Sequence, residues 1–461
     1  MKKAICILMV SLLVCVQIKA QLYGWSKLGD VNEWGANGEI NSICSDAAGN
    51  IYAAGQFKND SGNYYVAKYN GTMWSELGGL NSLAANNLIS SIYCDASGNI
   101  YAAGGFSNVW GNYYVAKYNG STWSELGGPD SLAANSYIFS ICGDAFGNIY
   151  AAGGFTDGLG YTFVAKFNGI TWGELTGLHT YFANADIISI CTDSLGHVYA
   201  AGNLYNSHSH TYVARYNGTT WDELGGIDAL AANNTILCIY SDASGNIYAG
   251  GYFNTSQTSD GNYYVAKYNG TIWNELGGAD SLSAADVIIN ICSDAYGNIF
   301  AAGAFKNGSN NNYVAQYNGT TWSELGGLNG LAANGLINSM CVDPSGNIYA
   351  AGYFSDGANM WTGNYYVAKY GTLTGINKMG AAGALNLFPN PTNNALTIST
   401  GNTITDASIK VFNITGQVVI EKNNQTGDKF VLDLSNQPAG IYFVEVRNGE
   451  NVWVEKVVKE D

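Results

Sequence analysis

The sequence predicts an all-β protein, namely a seven-bladed β-propeller of four-stranded antiparallel blades followed by a small β-sandwich. Two observations lead to this. One phrase of about 49 residues recurs seven times between Gly24 and Tyr370, and each complete copy holds four short segments rich in Val, Ile, Tyr and Trp. From about Leu385 the phrase is absent, and alternating apolar and polar residues between Gly and Asn turns indicate a separate small sheet domain.

A tryptophan marks each copy of the repeat. Successive tryptophans are 49 residues apart, except for 52 residues between the fifth and the sixth. A period in this range, with about four short strands per unit, is typical of propeller blades. The segments show no helical periodicity, which excludes tandem helical repeats. The seven tryptophans are Trp25, Trp74, Trp123, Trp172, Trp221, Trp273 and Trp322.

The lengths of the connections group the strands into blades. The turn Asp95–Asn99 (D-A-S-G-N) and the pair Asn119-Gly120 are tight hairpin signals. The stretch from Gly127 to Tyr137 is long enough to cross from one blade to the next. A blade therefore runs from Ser-Ile-Cys (innermost) through Ile-Tyr-Ala-Ala-Gly and Tyr-Val-Ala-Lys-Tyr to Trp-x-Glu-Leu (outermost).

The two ends of the repeat region complement each other. The first Trp strand, Trp25–Leu28, has no Tyr-Val-Ala-Lys-Tyr strand before it, and Tyr366–Tyr370 has no Trp strand after it. We therefore expect the N-terminal strand to complete the seventh blade, which would pair two otherwise open sheet edges.

The chain divides into four predicted segments. Lys2 and Lys3 before an apolar run, with Ala20 at a plausible cleavage point, indicate a signal peptide over residues 1–20. The propeller takes residues 21–370, a Gly- and Ala-rich linker takes 371–384, and the β-sandwich takes 385–461. No other stretch is apolar enough to span a membrane. The propeller is expected to be monomeric. The net charge of −16 disfavours nucleic acid as a partner.

The repeat phrase D-x-x-G-N-I-Y-A-A-G-x-F resembles the bacterial extracellular propeller repeat known as the SBBP repeat. The resemblance covers about Gly24 to Tyr370 and departs in the fourth copy, at His197 and at Asn203-Leu204. It implies a propeller and no particular chemistry. The turn is also similar to the Asp-box of sialidases, but its Asp is displaced by one residue. The propeller also has one arginine, Arg215, where sialidases use several, so we reject that activity.

The C-terminal tract is similar to the type A sorting domain of the type IX secretion system of diderm bacteria. F-P-N-P near its start and P-A-G-I-Y near its end carry the resemblance, through Pro389, Asn390, Pro391, Gly440 and Tyr442. The resemblance implies the type IX secretion machinery as a partner and a location outside the cell or on the outer-membrane surface. The alternative is an accessory β-sandwich that remains attached to the propeller.

The repeated cysteines and carboxylates are predicted to be structural. After signal removal seven cysteines remain, one in each innermost strand, which favours packing over disulfides or a metal ring. The turn aspartates, such as Asp46, Asp95 and Asp144, are predicted to form Asx turns, and one carboxylate per turn is too few for calcium. No cofactor is predicted.

The candidate binding residues are those that break the repeat. The crossovers and the variable segments after Ala-Ala-Gly-x-Phe share one face of the propeller, and the segments Asn254–Gly261 and Ser355–Gly363 are lengthened. This loop face carries unrepeated aromatic and histidine side chains, which either bind a ligand or pack on the adjacent blade. His208 and His210 form a weak candidate pair for a transition metal, with no acidic partner evident nearby. The candidates are Trp110, Tyr161, Trp361, His179, Tyr181, His208 and His210.

Two functions are consistent with this pattern. The favoured one is a non-catalytic binding protein, surface-attached or released, of an adhesin or carbohydrate-binding type, with a glycan or a surface protein as its ligand. The alternative is an extracellular polysaccharide hydrolase or lyase with its site on the loop face. The sequence favours the first, because it shows no asymmetric set of acid, base or nucleophile.

Overall fold

The computed structural model describes residues 23–29, 34–178, 185–255, 261–357, 363–372, 385–413, 418–448 and 451–460. Every regular element among them is a β-strand. The chain divides into two compact units, Met1–Thr372 and Leu373–Asp461. The first unit is the propeller and the second is the C-terminal sheet domain.

The first strand of the chain is β1 (Tyr23–Lys27). Six four-stranded sheets then follow in chain order, each made of four consecutive strands. Blade one has β2 (Ile40–Ser45), β3 (Ile51–Gly55), β4 (Ala67–Tyr69) and β5 (Trp74–Glu76). Blade two has β6 (Ile89–Cys94), β7 (Ile100–Gly104), β8 (Ala116–Tyr118) and β9 (Trp123–Glu125). Blade three has β10 (Ile138–Gly143), β11 (Ile149–Gly153), β12 (Val164–Phe167) and β13 (Trp172–Leu175).

The remaining blades repeat the same order. Blade four has β14 (Ile187–Thr192), β15 (Val198–Gly202), β16 (Ala214–Tyr216) and β17 (Trp221–Glu223). Blade five has β18 (Ile236–Ser241), β19 (Ile247–Gly251), β20 (Ala266–Tyr268) and β21 (Trp273–Glu275). Blade six has β22 (Ile288–Ser293), β23 (Ile299–Gly303), β24 (Ala315–Tyr317) and β25 (Trp322–Glu324). Blade seven has β26 (Ile337–Val342), β27 (Ile348–Gly352), β28 (Ala368–Thr372) and, from the start of the chain, β1.

The seven sheets close into a ring, as predicted. β1 pairs antiparallel with β28, with Trp25 opposite Tyr370. The innermost strands contact one another in sequence, and β26 of blade seven contacts β2 of blade one. The protein is therefore a seven-bladed propeller closed by its N-terminal strand, and the predicted strand grouping is confirmed.

A repeated hydrogen bond joins each blade to the one before it. The indole Nε1 of each repeat tryptophan donates to the carbonyl oxygen of the leucine at or directly after the end of the outermost strand of the preceding blade. The seven distances lie between 2.9 and 3.1 Å. The tryptophan thus recurs because one side chain both fills the space between blades and satisfies a backbone carbonyl.

The tight turns between the first and second strands are Asx turns, as predicted. In blade two, Asp95 Oδ1 accepts hydrogen bonds from the backbone N–H of Ser97 and Asn99, each at 2.9 Å. Its Oδ2 accepts from the Asn99 side chain and from the Tyr101 hydroxyl. One carboxylate therefore holds both the turn and the tyrosine of the second strand.

The C-terminal unit is one five-stranded antiparallel sheet. Its core includes Leu396, Ile409, Leu432, Val444 and Val457, all fully buried. A turn over residues 434–439 separates its third strand from its fourth. The strands are β29 (Asn386–Phe388), β30 (Ala395–Asn413), β31 (Val418–Asp433), β32 (Gly440–Asn448) and β33 (Asn451–Lys459).

Within the described part of the chain, no helix is long and apolar enough to cross a membrane.

Candidate functional site

The loop face is organised by a second Asx turn, in the variable segment between the second and third strands. In blade one, Asn59 Oδ1 accepts from the backbone N–H of Ser61 and of Asn63, each at 3.1 Å. The Asn59 amide group donates to Glu76 of the outermost strand and to Asn81 of the crossover. The Asn63 side chain donates to Asn81 as well. These side-chain hydrogen bonds hold the turn against the crossover, and we call the set a clasp.

Blade four contains a histidine version of this clasp. Asn206 takes the place of Asn59, and its side chain donates to Glu223 and, at 2.8 Å, to Asp228. His210 takes the place of Asn63, and its Nδ1 lies 2.9 Å from Asp228 Oδ1. His208 Nδ1 contacts Asp228 Oδ2. The sequence-based statement that no acidic partner lies near the two histidines was therefore wrong.

The carboxylates of the cluster are perturbed in opposite directions. Hydrogen bonds from His210, Asn206 and His208 lower the pKa of Asp228 to about 2. Burial, together with the charge of Asp228, raises the pKa of Glu223 in spite of the hydrogen bond from Asn206. The pKa values of Glu125 and Glu275, the same residue in blades two and five, are raised as well, with burial as the main cause. A raised pKa at this position therefore recurs in three blades.

A cavity of about 420 Å³ opens between blades three and four. A volume of this size is within the range of small-molecule sites. The residues around it combine aromatic and apolar surface with amide and carboxylate groups, and none of them is basic. They are Gly177, Leu178, Tyr205, Asn206, Ser207, Tyr212, Ala214, Trp221, Asp222, Glu223 and Ile227.

One residue beside this cavity, Thr176, departs from the repeat. Six crossovers begin with a glycine at positive φ, and in blade five, for example, a Cβ on Gly277 would lie 2.5 Å from Ser281 and 3.1 Å from Tyr317. Thr176 occupies this position in blade three and is not among the residues at positive φ. A β-branched residue disfavours that conformation, so Thr176 does not adopt the backbone of these glycines. The cavity beside Trp221 lies at this junction.

The other predicted candidates are distributed as follows. Trp110 is 62% exposed and sits in the turn of blade two at the position of His208. Tyr161 is half-buried and occupies the position of His210 in blade three. His179, Tyr181 and Trp361 lie outside the described residues. Trp110, Tyr161 and the two histidines thus occupy matching turns of three successive blades.

The sequence analysis missed a set of apolar residues on the opposite face. Phe146, Leu195 and Tyr296 occupy the second variable position of the D-x-x-G-N turns and are 73%, 75% and 89% exposed. Phe146 lies against the turn of the next blade, because a Cβ on Gly196 would be 2.9 Å from its ring. Comparing the turn residues between copies would have revealed them, since blades two, five and seven have serine there.

The described cysteines and histidines form neither disulfides nor a metal-binding cluster. The seven cysteines of the described chain are free thiols. Across those same residues, no group of three or more His, Cys, Asp or Glu side chains is placed to hold a metal ion. The interblade packing role predicted for the cysteines accords with Cys44 and Cys94, which pack against the core between blades one and two.

The predicted sorting-motif residues lie around the last strand of the C-terminal unit. Pro389, Asn390 and Pro391 follow β29, and Gly440 and Tyr442 are in the first half of β32. Tyr442 is buried, and its hydroxyl donates to the carbonyl oxygen of Pro438 at 2.7 Å.

Seven similar four-stranded sheets define the first unit as a repeat propeller, and the C-terminal unit indicates how the protein is exported. Residues 386–460 match the family described as the secretion system C-terminal sorting domain. The chain therefore carries a sorting domain for type IX secretion, and the protein is secreted or located at the cell surface. Comparison with curated proteins finds no match.

Comparison with solved structures finds several that are partly similar. PorZ of Porphyromonas gingivalis, a surface component of the type IX secretion system, is 12% identical with a TM-score of 0.41, over 91% of this chain and 70% of that one. The extracellular domain of BT4673 from B. thetaiotaomicron is 11% identical with a TM-score of 0.47, over 95% of this chain and 59% of that one. The extracellular domain of BT3049 is 13% identical with a TM-score of 0.46, over 95% of this chain and 58% of that one. The chain thus spans less than two thirds of the latter two.

Proposed function

We propose that the protein is a non-catalytic binding protein, delivered by type IX secretion and then released or attached at the cell surface. Its ligand site is the cavity between blades three and four. The supporting observation is that the cavity lies where the repeat fails, at Thr176, beside the histidine form of the clasp. A residue set repeated in every blade serves the fold, whereas groups present once are available for a ligand.

The lining favours an uncharged saccharide as the ligand. Tyr205 and Asp222, which no other blade has at these positions, supply an aromatic ring and a carboxylate beside the repeated Trp221. Asp222 is special to this blade, since blades one, two and six have serine at its position. Because the described residues around the cavity include carboxylates and no basic group, an anionic ligand is disfavoured. The exposed Trp110 extends the proposed surface toward blade two.

A polysaccharide hydrolase or lyase is the second candidate. The observation that favours it is the pair Glu223 and Asp228, with pKa values shifted apart. Such a pair suits acid–base chemistry. The repetition of the glutamate in other blades weighs against it, as stated above for Glu125 and Glu275.

Two further assignments belong to this proposal. Residues 1–20 are a signal peptide, and 371–384 link the propeller of residues 21–370 to the sorting domain of residues 385–461. The propeller repeats are of the SBBP type, on the strength of the phrase D-x-x-G-N-I-Y-A-A-G-x-F.

A glycan array run beside a polysaccharide-degradation screen tests the proposal. The mature protein is compared with three variants, Asp222→Ala, Thr176→Gly and Ser124→Ala. Ser124 is the residue of blade two that corresponds to Asp222. We expect binding without turnover, at least about tenfold weaker in the first two variants and unchanged in the third. Equal binding by all variants would move the site elsewhere, and turnover abolished by Glu223→Gln would establish the enzyme.

A further inference from the structure

The two sorting motifs, which are about fifty residues apart in the sequence, meet on the two sides of one strand. β32 pairs with β33 so that Gly440 lies opposite Lys459 and Tyr442 opposite Val457. The Pro-Asn-Pro motif contacts the same end of β33, through Lys456 and Val458. The last residues of β33 are thus held by one motif on each side.

Asn390 contacts β33 through both ends of its side-chain amide. Its Nδ2 donates to the carbonyl oxygen of Lys456 at 2.8 Å, and its Oδ1 accepts from the N–H of Val458 at 3.0 Å. These are the two groups that a paired strand would satisfy with its own backbone. Pro389 and Pro391 cannot donate a backbone hydrogen bond, so the side chain between them takes over the pairing.

Thr392 extends the contact by one further step. Its N–H donates to the carbonyl oxygen of Val458, and its own carbonyl oxygen accepts from the N–H of Glu460, both at 2.9 Å. Its hydroxyl donates to the carbonyl oxygen of Ala395 at 2.7 Å, which ties the segment to β30. Each of these hydrogen bonds joins Asn390 or Thr392 to a particular backbone group of residues 456–460. Together they therefore allow one register only.

The second motif is also fixed from within. The Tyr442 hydroxyl bonds the carbonyl oxygen of Pro438, four residues earlier, and so braces the turn that leads into β32. The aromatic ring of Tyr442 is buried in the core of the domain. The side-chain amide of Asn390 and the hydroxyl of Tyr442 therefore form hydrogen bonds to other residues of the same domain.

We propose that the Pro-Asn-Pro and Pro-Ala-Gly-Ile-Tyr motifs act in export by fixing the register of the final strand, with Asn390 as the positioning residue. The export machinery then contacts segment 456–460, which the motifs hold in this register. It does not contact the side chain of Asn390 itself.

The test uses the full chain, expressed in a bacterium that has type IX secretion. For each variant, the fraction of protein outside the cell is measured, together with amide hydrogen exchange of residues 456–460 in the purified full chain. The key change is Asn390→Ala. Asn386→Ala, at an exposed position of β29 in the same domain, is the matched control. Val444→Ala removes buried side-chain atoms from the core and controls for a general loss of stability.

We expect Asn390→Ala to speed the exchange of Val458 and Glu460 about tenfold and to reduce export by a similar factor. Asn386→Ala should change neither. Val444→Ala should lower the unfolding midpoint of the domain and leave export of the folded protein unchanged. If Asn390→Ala does not fold, Asn390→Asp replaces it, since that variant keeps the acceptor for Val458 and loses the donor to Lys456.

Three results would overturn the proposal. Export lost with exchange unchanged would mean that the machinery contacts Asn390 directly. Faster exchange with normal export would mean that the register of β33 is irrelevant. Equal loss of export in Asn390→Ala and Val444→Ala, at equal loss of unfolding midpoint, would reduce the effect to stability.

Discussion

The indole Nε1 of Trp25 donates a hydrogen bond to the carbonyl oxygen of Leu325 at 2.9 Å, across 300 residues of sequence. Trp123 makes the same bond to Leu77, across 46 residues. The two bonds are chemically alike, and they differ in that the first attaches the closing strand β1. The closing blade is therefore fastened by the same contact that joins every other pair of blades.

Trp25→Phe should lower the free energy of unfolding by about 1 kcal/mol, because the aromatic packing stays while the carbonyl oxygen of Leu325 loses its donor. Trp123→Phe should cost about the same. Urea unfolding of both variants measures this. A loss in Trp123→Phe without one in Trp25→Phe would contradict an equivalent role for the closing strand.

Phe300 in blade six cannot form a hydrogen bond that the corresponding tyrosine forms in the other blades. In the other six blades the second-strand tyrosine hydroxyl lies 2.9–3.0 Å from the turn aspartate. Blade six has Phe300 there, beside Asp294. Phe300→Tyr should therefore stabilise the protein by about 1 kcal/mol, and Tyr101→Phe should destabilise it by about as much, as measured by thermal unfolding. A destabilising Phe300→Tyr would show that the hydroxyl does not fit.

The turn aspartates should make the propeller sensitive to acid. Burial alone would raise the pKa of Asp95, but the hydrogen bonds from Asn99, Tyr101 and the backbone outweigh it, so its pKa is lowered from the usual 3.8. The pKa values of Asp46, Asp144 and Asp193 are lowered for similar reasons. A lowered folded-state pKa gives stability that is present above the usual pKa and is lost as the pH falls through the folded value.

We therefore expect the unfolding temperature to fall as the pH is lowered from about 5 to about 2. In Asp95→Asn the turn acceptor remains but the titrating group is gone, so the fall should be smaller. Thermal scans across this pH range compare the two proteins. An equal fall in both would mean that Asp95 does not contribute to the acid sensitivity.

The thiols should be inert in the folded protein. Burial is the main cause that raises the pKa of Cys94 and of Cys292, each to about 12, and it raises that of the other five cysteines as well. Since the thiolate is the reactive form, Ellman's reagent at neutral pH should label the native mature protein slowly and all seven thiols after denaturation. Ser97→Cys, in an exposed turn, is the control that should react at once. Fast reaction without denaturation would show that the inner strands open.

The sequence predicted the blades and their closure because both depend on short, local patterns that recur. It could not reveal that Asp228 binds His208 and His210, because the partners meet only when the crossover folds back over the turn. Nor could it show that Thr176 lies beside a cavity, since the residues around that cavity come from two blades. The clasp of Asn390 on Val458 likewise depends on a register set across 68 residues.

The histidine clasp of blade four has asparagine counterparts in other blades. The residues that take the place of His210 in blades one, two, five and six are asparagines, and each donates to the crossover residue that corresponds to Asp228. His210→Asn should therefore preserve the clasp and change the free energy of unfolding by no more than about 0.5 kcal/mol. Asp228→Ala removes the acceptor of His210, Asn206 and His208 together, and should lower the unfolding midpoint at pH 7 further than His210→Asn.

The pH dependence separates the two variants further. The pKa of Asp228 is held at about 2, so its contribution is present above the usual pKa of aspartate and is lost as the pH falls toward 2. The difference in unfolding midpoint between wild type and Asp228→Ala should therefore be larger at pH 7 than at pH 2. A difference that is the same at both pH values would mean that the charge of Asp228 plays no part, and that the two histidines are only surface substitutions in this loop.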